Sequence, residues 1–361
     1  MKIAISAAET SGDLVASALI KSLLELNPEC TIEGMAGDKM TAAGCQGLWH
    51  LNQVDVMGFS EVLKKLPSLL RLRKAMVAHF SEKAPAVFIG VDAPDFNFKI
   101  ERQLKACGTK TVHFVSPSVW AWRSGRIKKI KESTDLMLCM FPFEVDFYRK
   151  HGQKALFVGH PLAETLQPRT NHQQGKKVLL MPGSREAEIR SLLPEMLGAL
   201  KLMKKQDEEI SFSLALANTN LQSWVEAQLV GLDVEVSIGD AHQKIKQTDL
   251  VIVASGTATL EIAMMGVPMV VVYKLSAISY QIAKRLLKTD YVSLPNVMLG
   301  KEIVPELLQD KANAVNISNS ALQILAADNT QLVAELSSIH TQLNQGSAEK
   351  SAKAILEFID A

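Results

Sequence analysis

Val253-Ala254-Ser255-Gly256-Thr257-Ala258-Thr259-Leu260-Glu261 decides how this chain folds. A β-branched run from Leu250 to Val253 enters a Ser-Gly-Thr turn, and a helical pattern starts at once. That layout aims backbone N–H groups and a helix N-terminus at one point, which suits a phosphate. Glu261 falls about one helical turn inside, where a carboxylate can reach ribose hydroxyls while the turn holds phosphates. Pro268 and Met269-Val270-Val271-Val272 supply the next strand, giving strand, anion loop, helix, strand. The plainer alternative is that Ser255 and Thr257 only cap a helix. A second turn of the same kind weighs against it. Lys177 to Met181 reads as a strand, ends in Pro182-Gly183-Ser184-Arg185, and precedes a helix carrying Glu186, Glu188 and Ile189. Arg185 brings a planar fork that can grip a diphosphate bidentately. Two such turns at strand C-termini in one domain imply a shared crevice.

Outward from these turns, strand and helix patterns alternate along most of the 361 residues. The first half predicts strands near Lys2–Ser6, Thr31–Met35, Ala86–Val91, Lys110–Phe114, Leu136–Met140 and Ala155–Phe157. Between them come helices over Asp13–Leu26, Pro67–Ser81, Phe96–Cys107, Ser124–Ser133 and Pro142–His151. The second half predicts strands near Lys177–Leu180, Ser211–Leu216, Val234–Ile238, Leu250–Val253 and Pro268–Val272. Continuous apolar strands joined by crossover helices mean parallel sheets with ligands at the strand C-termini. The polar run Pro168-Arg169-Thr170-Asn171-His172-Gln173-Gln174-Gly175 reads as an interdomain linker. The expected division is 1–167, 176–315 and a helical tail, 316–361, packing back on the first domain or on a partner subunit of a homodimer.

Composition excludes several classes. Hydrophobic residues make up 47% and charged residues 21%, as in a globular protein with a large core. A net charge of +1 gives no argument for nucleic acid. Cys30, Cys45, Cys107 and Cys139 form no CxxC or Cys/His cluster and read as reduced thiols. Met1-Lys2-Ile3-Ala4-Ile5 runs straight into a strand, so no signal peptide is expected. No apolar run approaches the roughly 18 residues of a membrane span, so any membrane contact is expected to be peripheral.

In the first half, polar residues gather where strands end. Ala7-Ala8-Glu9-Thr10-Ser11-Gly12-Asp13 places Ser11 and Asp13 to cap the next helix and leaves Glu9 without that role. In Gly90-Val91-Asp92-Ala93-Pro94-Asp95-Phe96-Asn97, Asp95 is expected to cap the helix after Pro94. Asp92, at the strand end, is a candidate general base for an incoming hydroxyl. The spacing from Asp92 to Asp95 is not a metal-holding D-x-D, and no metal site or cofactor is expected. His113 reads as a core histidine. Ser116-Pro117-Ser118-Val119-Trp120-Ala121-Trp122-Arg123 holds two of the four tryptophans beside Arg123 and Arg126. Such a loop can cover a sugar or hold an anion, or it can be a packing cluster.

The stretch Ser60 to Lys74 combines leucines with five positive charges. Val62, Leu66, Leu69, Met76, Val77 and Phe80 predict a core stripe at helical spacing. Leu63, Leu70 and Leu72 are then in excess among Lys64, Lys65, Arg71 and Arg73, as on an interfacial helix touching anionic lipid. Pro67 is expected to split the helix and open its second segment.

Together these motifs resemble the lipid-A-disaccharide synthase family. The resemblance is carried by Glu9–Asp13, Gly90–Asn97, Ser116–Arg123, Pro182–Arg185, Ser255–Ala258 and Lys288-Thr289-Asp290-Tyr291-Val292-Ser293-Leu294-Pro295-Asn296. It implies an α/β glycosyltransferase of the GT-B class, with two doubly wound, Rossmann-like domains facing a cleft. It implies UDP-2,3-diacylglucosamine as donor and 2,3-diacylglucosamine 1-phosphate as acceptor, with the UDP-sugar a substrate and not a cofactor. The site it implies has Asp92, Glu9 and Asn296 as catalytic residues. Arg185, Ser255, Gly256, Thr257, Ala258 and Glu261 would hold the nucleotide. Ser11, Trp120, Trp122 and Arg123 would meet the acceptor, and Leu63, Leu70 and Leu72, the surplus leucines read above, the lipid. The implied location is cytoplasmic, peripheral on the inner face of the inner membrane. A UDP-sugar epimerase and a non-catalytic nucleotide or lipid binder are the alternatives. One departure stands: Ala8 occupies a position where the family usually has Gly, which takes positive φ cheaply.

Overall fold

The computed structural model describes residues 1–54, 59–120, 124–169, 175–275 and 289–361, with the side chains of 59–65 and 124 outside that description. The chain forms two compact units, Met1–Glu164 with Leu343–Ala361, and Thr165–Gln342.

The first unit runs β1 (Lys2–Ala7), α1 (Thr10–Leu26), β2 (Thr31–Ala36), α2 (Asp38–Ala42), β3 (Gln46–His50) and α3 (Phe59–Lys83). It continues through β4 (Val87–Val91), α4 (Pro94–Ala106), β5 (Lys110–Phe114), α5 (Ile127–Ser133), β6 (Leu136–Cys139), α6 (Pro142–Lys150), β7 (Lys154–Phe157) and α7 (Pro161–Thr165). Its seven strands lie in the order β3-β2-β1-β4-β5-β6-β7, all parallel. Every residue of β4 and β6 is buried, as expected of strands covered by helices on both faces. The edge strand β3 carries no continuous apolar run, and it went unpredicted for that reason.

The second unit runs β8 (Lys177–Met181), α8 (Glu186–Gln206), β9 (Ser211–Leu216), α9 (Gln222–Gln228), β10 (Val234–Ile238) and α10 (Ala241–Lys246). Then come β11 (Leu250–Ala254), α11 (Ala258–Met264), β12 (Met269–Tyr273), α12 (Leu294–Leu299), β13 (Glu306–Leu308), α13 (Ala314–Ala326) and α14 (Thr330–Leu343). The parallel order is β10-β9-β8-β11-β12-β13. Helix α13 packs on α8 within this unit. The last helix, α15 (Ser347–Asp360), packs on α1, and its Ala352 and Ile355 enter the core of the first unit. Lys110 Nζ donates to the carbonyls of Phe358 (3.0 Å) and Ile359 (2.8 Å), a cation at that helix's negative end.

Three local expectations are corrected. Helix α1 begins at Thr10, so Ser11 and Asp13 lie inside its first turn and do not cap it. Buried Asp13 instead accepts from the backbone N–H groups of Gly37 (2.9 Å), Lys39 (3.1 Å) and Met40 (3.1 Å), capping α2 from outside. Pro67 does not split α3, which runs through it. Pro67 is solvent-exposed, and there water can satisfy the carbonyl that loses its partner.

In each sheet the strand order reverses once at the middle. The reversal lies between β1 and β4 in the first unit and between β8 and β11 in the second. Ligands of doubly wound sheets bind outside the strand C-termini at that point. The loops leaving those four strands are the four motifs that begin at Glu9, Asp92, Pro182 and Ser255.

Candidate active site

Beyond β4 the backbone is strained. Asp92 has φ of 53° and Ala93 of 41°, in the left-handed region that non-glycine residues avoid. Val115, after β5, has φ of 78°, rarer still for a β-branched side chain. Such strain persists only where surroundings enforce it, and it gathers at functional sites. The enforcement here comes from Asn97, completely buried on α4. Its amide nitrogen donates to the carbonyls of Asp92 (2.8 Å), Val91 (3.2 Å) and Ser6 (3.3 Å), and its oxygen accepts from Ser6 Oγ at 2.8 Å. Asp92 Oδ1 accepts from the N–H of Ala93 at 2.8 Å, and Oδ2 from Ser11 Oγ at 3.2 Å. Gly12 lets α1 approach, since a Cβ there would stand 3.3 Å from the Val91 carbonyl. Ser11 is thus a partner of Asp92.

Glu9 occupies the N-cap position of α1 with extended backbone, and its carboxylate makes no capping bond. Ala8, where the family usually has Gly, is buried and does not take positive φ, so the substitution strains nothing.

In the second unit, Gly183 (φ 112°) brings the two anion turns together. A Cβ there would lie 2.8 Å from Glu188 Oε2 and 3.4 Å from the Ala254 Cβ at the end of β11. Arg185 is exposed at the N-cap of α8, where its Nη1 donates to Glu188 Oε1 at 3.0 Å. Thr257 is the N-cap residue of α11 and makes no side-chain capping bond. Gly256 faces open space, and the first N–H groups of a helix have no intrahelical acceptors. Glu261, in the first turn of α11, is half-buried and bonds to His242 Nε2 at 2.7 Å. Tyr273 ends β12 nearby; burial first, then the Glu188 charge, raises its phenol above the ordinary range. The sequence reading missed His242 and Tyr273. Each follows or closes a strand, the one signal that marks it.

Asn296 is placed differently from its expected catalytic role. It is completely buried, and its amide donates to the Val304 carbonyl and Glu306 Oε1, both at 2.9 Å. Its oxygen accepts from the N–H groups of Ile303 (2.9 Å) and Val304 (3.1 Å). All of its hydrogen-bonding capacity is filled, so it shapes a loop and presents nothing to a substrate.

Asp95 does not cap α4; it pairs with Arg126 at 3.2 Å, and Ala93 is the N-cap residue. His113 is the core histidine expected, buried and 2.6 Å from Glu101. Trp120 stands edge-on to Phe143 at 4.6 Å, so its ring belongs to a packing cluster. Trp122 and Arg123 lie outside the described residues, as does the side chain of Leu63. On α3 the buried cluster takes Leu69, Met76 and Phe80, with Leu72 and Val77 packed against it. Leu72 is therefore not a surplus surface leucine. Leu66, expected in the core stripe, is 41% exposed, and Leu70 is 51% exposed. Arg73 does not face outward with Arg71; its guanidinium lies over the Phe96 ring, 5.1 Å from the centroid.

A cavity of about 700 Å³ opens beside the Asp92 turn, walled in part by Glu9, Ser11, Leu69, Arg73, Ala93 and Phe96. Its size is that of a small-molecule site. Among the described residues, no group of three or more His, Cys, Asp or Glu side chains is placed to hold a metal ion, and no helix is long and apolar enough to cross a membrane.

The comparisons agree with this architecture. A synthase from Pseudomonas putida named lipid-A-disaccharide synthase is 40% identical over 368 residues, covering 99% of this chain and 98% of its own. Another of that name from Methylobacillus flagellatus is 41% identical over 375 residues, covering 99% of both chains. The fold is shared with UDP-GlcNAc 2-epimerase from Neisseria meningitidis bound to UDP-GlcNAc (TM-score 0.63, 13% identity, 99% of both chains). It is shared too with CalG4, the calicheamicin glycosyltransferase (TM-score 0.63, 13% identity, covering 99% of this chain and 98% of that one). These place the two parallel-sheet units in the GT-B class expected from the sequence. The model of the lipid-A-disaccharide synthetase family matches residues 3–358, and with two full-length relatives at about 40% identity the chain belongs to that family of glycosyltransferases.

Proposed function

We propose that the protein transfers 2,3-diacylglucosamine from UDP-2,3-diacylglucosamine to the 6-hydroxyl of 2,3-diacylglucosamine 1-phosphate, by a single inverting displacement and without a metal. The observation that carries this reading is the Asp92 turn at a sheet switch point, whose carboxylate accepts from Ser11 and Ala93 while Asn97 clamps its backbone carbonyl. Asp92 takes the proton of the acceptor hydroxyl as its oxygen attacks C1 of the donor sugar. The C1–O bond to UDP breaks as the new bond forms, and the electron pair leaves on the diphosphate. Arg185 and the turn amides of Gly256, Thr257 and Ala258 stabilise that charge, in the manner of a preorganised anion hole. To do so Arg185 shares or releases Glu188. Glu261, oriented by His242, accepts from the ribose hydroxyls.

The substrates carry acyl chains, so we place the enzyme peripherally on an anionic bilayer, at the inner face of the inner membrane. The exposed Leu66 and Leu70 with the exposed Arg71 and Lys74 support attachment through α3. The test is UDP release with EDTA present. Release that depends on the phosphorylated lipid acceptor and persists in EDTA is the expected result. Release without acceptor contradicts the transferase reading, and activity that needs added Mg²⁺ contradicts the leaving-group assignment.

A further inference from the structure

Arg73 enters its cavity with donors unmet. Its Nε and Nη1 are buried and have no hydrogen-bond partner. The guanidinium carbon lies over the Phe96 ring, 5.1 Å from its centroid. Two buried guanidinium nitrogens without acceptors are costly to a fold, and their persistence asks what completes them. The nearby Asp95 does not, because its carboxylate is exposed and paired with Arg126. Arginine N–H groups that lack an acceptor match phosphate oxygens. The same cavity is also lined by Glu9, and by Ser11 with its bond to Asp92. Carboxylates repel a phosphate and accept from sugar hydroxyls. The cavity thus offers an unpartnered arginine to a phosphate, and a carboxylate and a hydroxyl to the hydroxyl of a sugar.

We infer that Arg73 binds the acceptor's phosphate monoester and so delivers the acceptor's hydroxyl to the Asp92 end of the cavity. This inference rests on the transferase reading above. Phe96 orients the guanidinium, and Leu69 beside it gives the sugar an apolar wall. Arg73 is accordingly a specificity residue, distinct from the cations of the outer face of α3.

The experiment measures KM and kcat for 2,3-diacylglucosamine 1-phosphate and for its dephosphorylated counterpart, in wild type, Arg73→Gln and Arg73→Lys. Wild type should favour the phosphorylated acceptor. Arg73→Gln should raise KM for that acceptor about 10- to 100-fold, the factor carried by a charge-assisted hydrogen bond, and leave the dephosphorylated one unchanged. Arg73→Lys, which keeps the charge without the fork, should keep part of the preference. An equal change for both acceptors, or a full preference retained in Arg73→Gln, overturns the assignment. If Arg73→Gln is inactive on both, Arg73→Lys decides: a narrowed preference supports the inference and a full one overturns it. Co-sedimentation with phosphatidylglycerol vesicles separates the other source of phosphate. Lost pelleting with the acceptor preference intact would assign Arg73 to bilayer headgroups and overturn the inference. Wild type that releases no UDP with either acceptor would instead sink the transferase reading itself.

Discussion

Glu144 is a carboxyl that the fold keeps protonated. Burial pushes it up from 4.5 to about 8, although the backbone N–H of Phe141 donates to it at 3.1 Å. The unfolded chain loses this proton near 4.5 and the folded protein only near 8. Its contribution to stability is therefore complete below the lower value and declines as pH rises through the higher one. Glu144→Gln keeps the acceptor for Phe141 and removes the titration. Thermal melts at pH 5 and pH 8.5 should show the wild type losing more stability between them than the variant; an equal loss in both would contradict this account of the carboxyl. Residue identity in the candidate site was partly legible. Glu9 and Asp92 could be picked out because a strand end needs no acid there. Asn97, which holds the strained turn, could not, since its partners Ser6 and Asp92 meet it only after the sheet pairs β1 with β4.

Helix α3 shows what periodicity does and does not carry. Leu69, Met76 and Phe80 were legible as core because they repeat at helical spacing. Which neighbours flank that stripe was not, because it depends on what the helix packs against. Leu72 faces the core cluster, Leu66 lies beyond it, and Arg73 lays its stem and charge along Phe96, as long cationic side chains do. The set left exposed for the proposed lipid contact is accordingly Leu66 and Leu70, with Arg71 and Lys74. Cations near an anionic leaflet contribute about 1 kcal/mol each and weaken with salt, whereas a buried leucine contributes about 1.5–3 kcal/mol that salt does not remove. Leu66→Ser with Leu70→Ser should move the protein from liposome pellet to supernatant with UDP affinity intact, and salt alone should do so only partly. A double variant that pellets like wild type would show that α3 is not the attachment. The short edge strands β3 and β13 were hidden for a related reason: neither has the apolar run that announces a central strand.

At the scale of the molecule, two units of the same architecture divide the chemistry. Each sheet reverses its strand order at one place, and the strands beside it end in the motifs legible in the sequence. The first unit holds the candidate base, the second the turns suited to a diphosphate, so the account predicts that damage to one leaves binding by the other intact. The closing helix α15 belongs to the first unit by its packing on α1. The central claim is that Asp92 is the base of an inverting transfer, held ready by a strained turn. The direct test is turnover of Asp92→Asn, with UDP affinity measured by calorimetry on the same preparation. Turnover should fall by about 10²–10⁴, the range for loss of a general base, with UDP affinity unchanged. Near-normal turnover at unchanged UDP affinity would contradict the account and leave Asp92 a structural residue of the β4 turn.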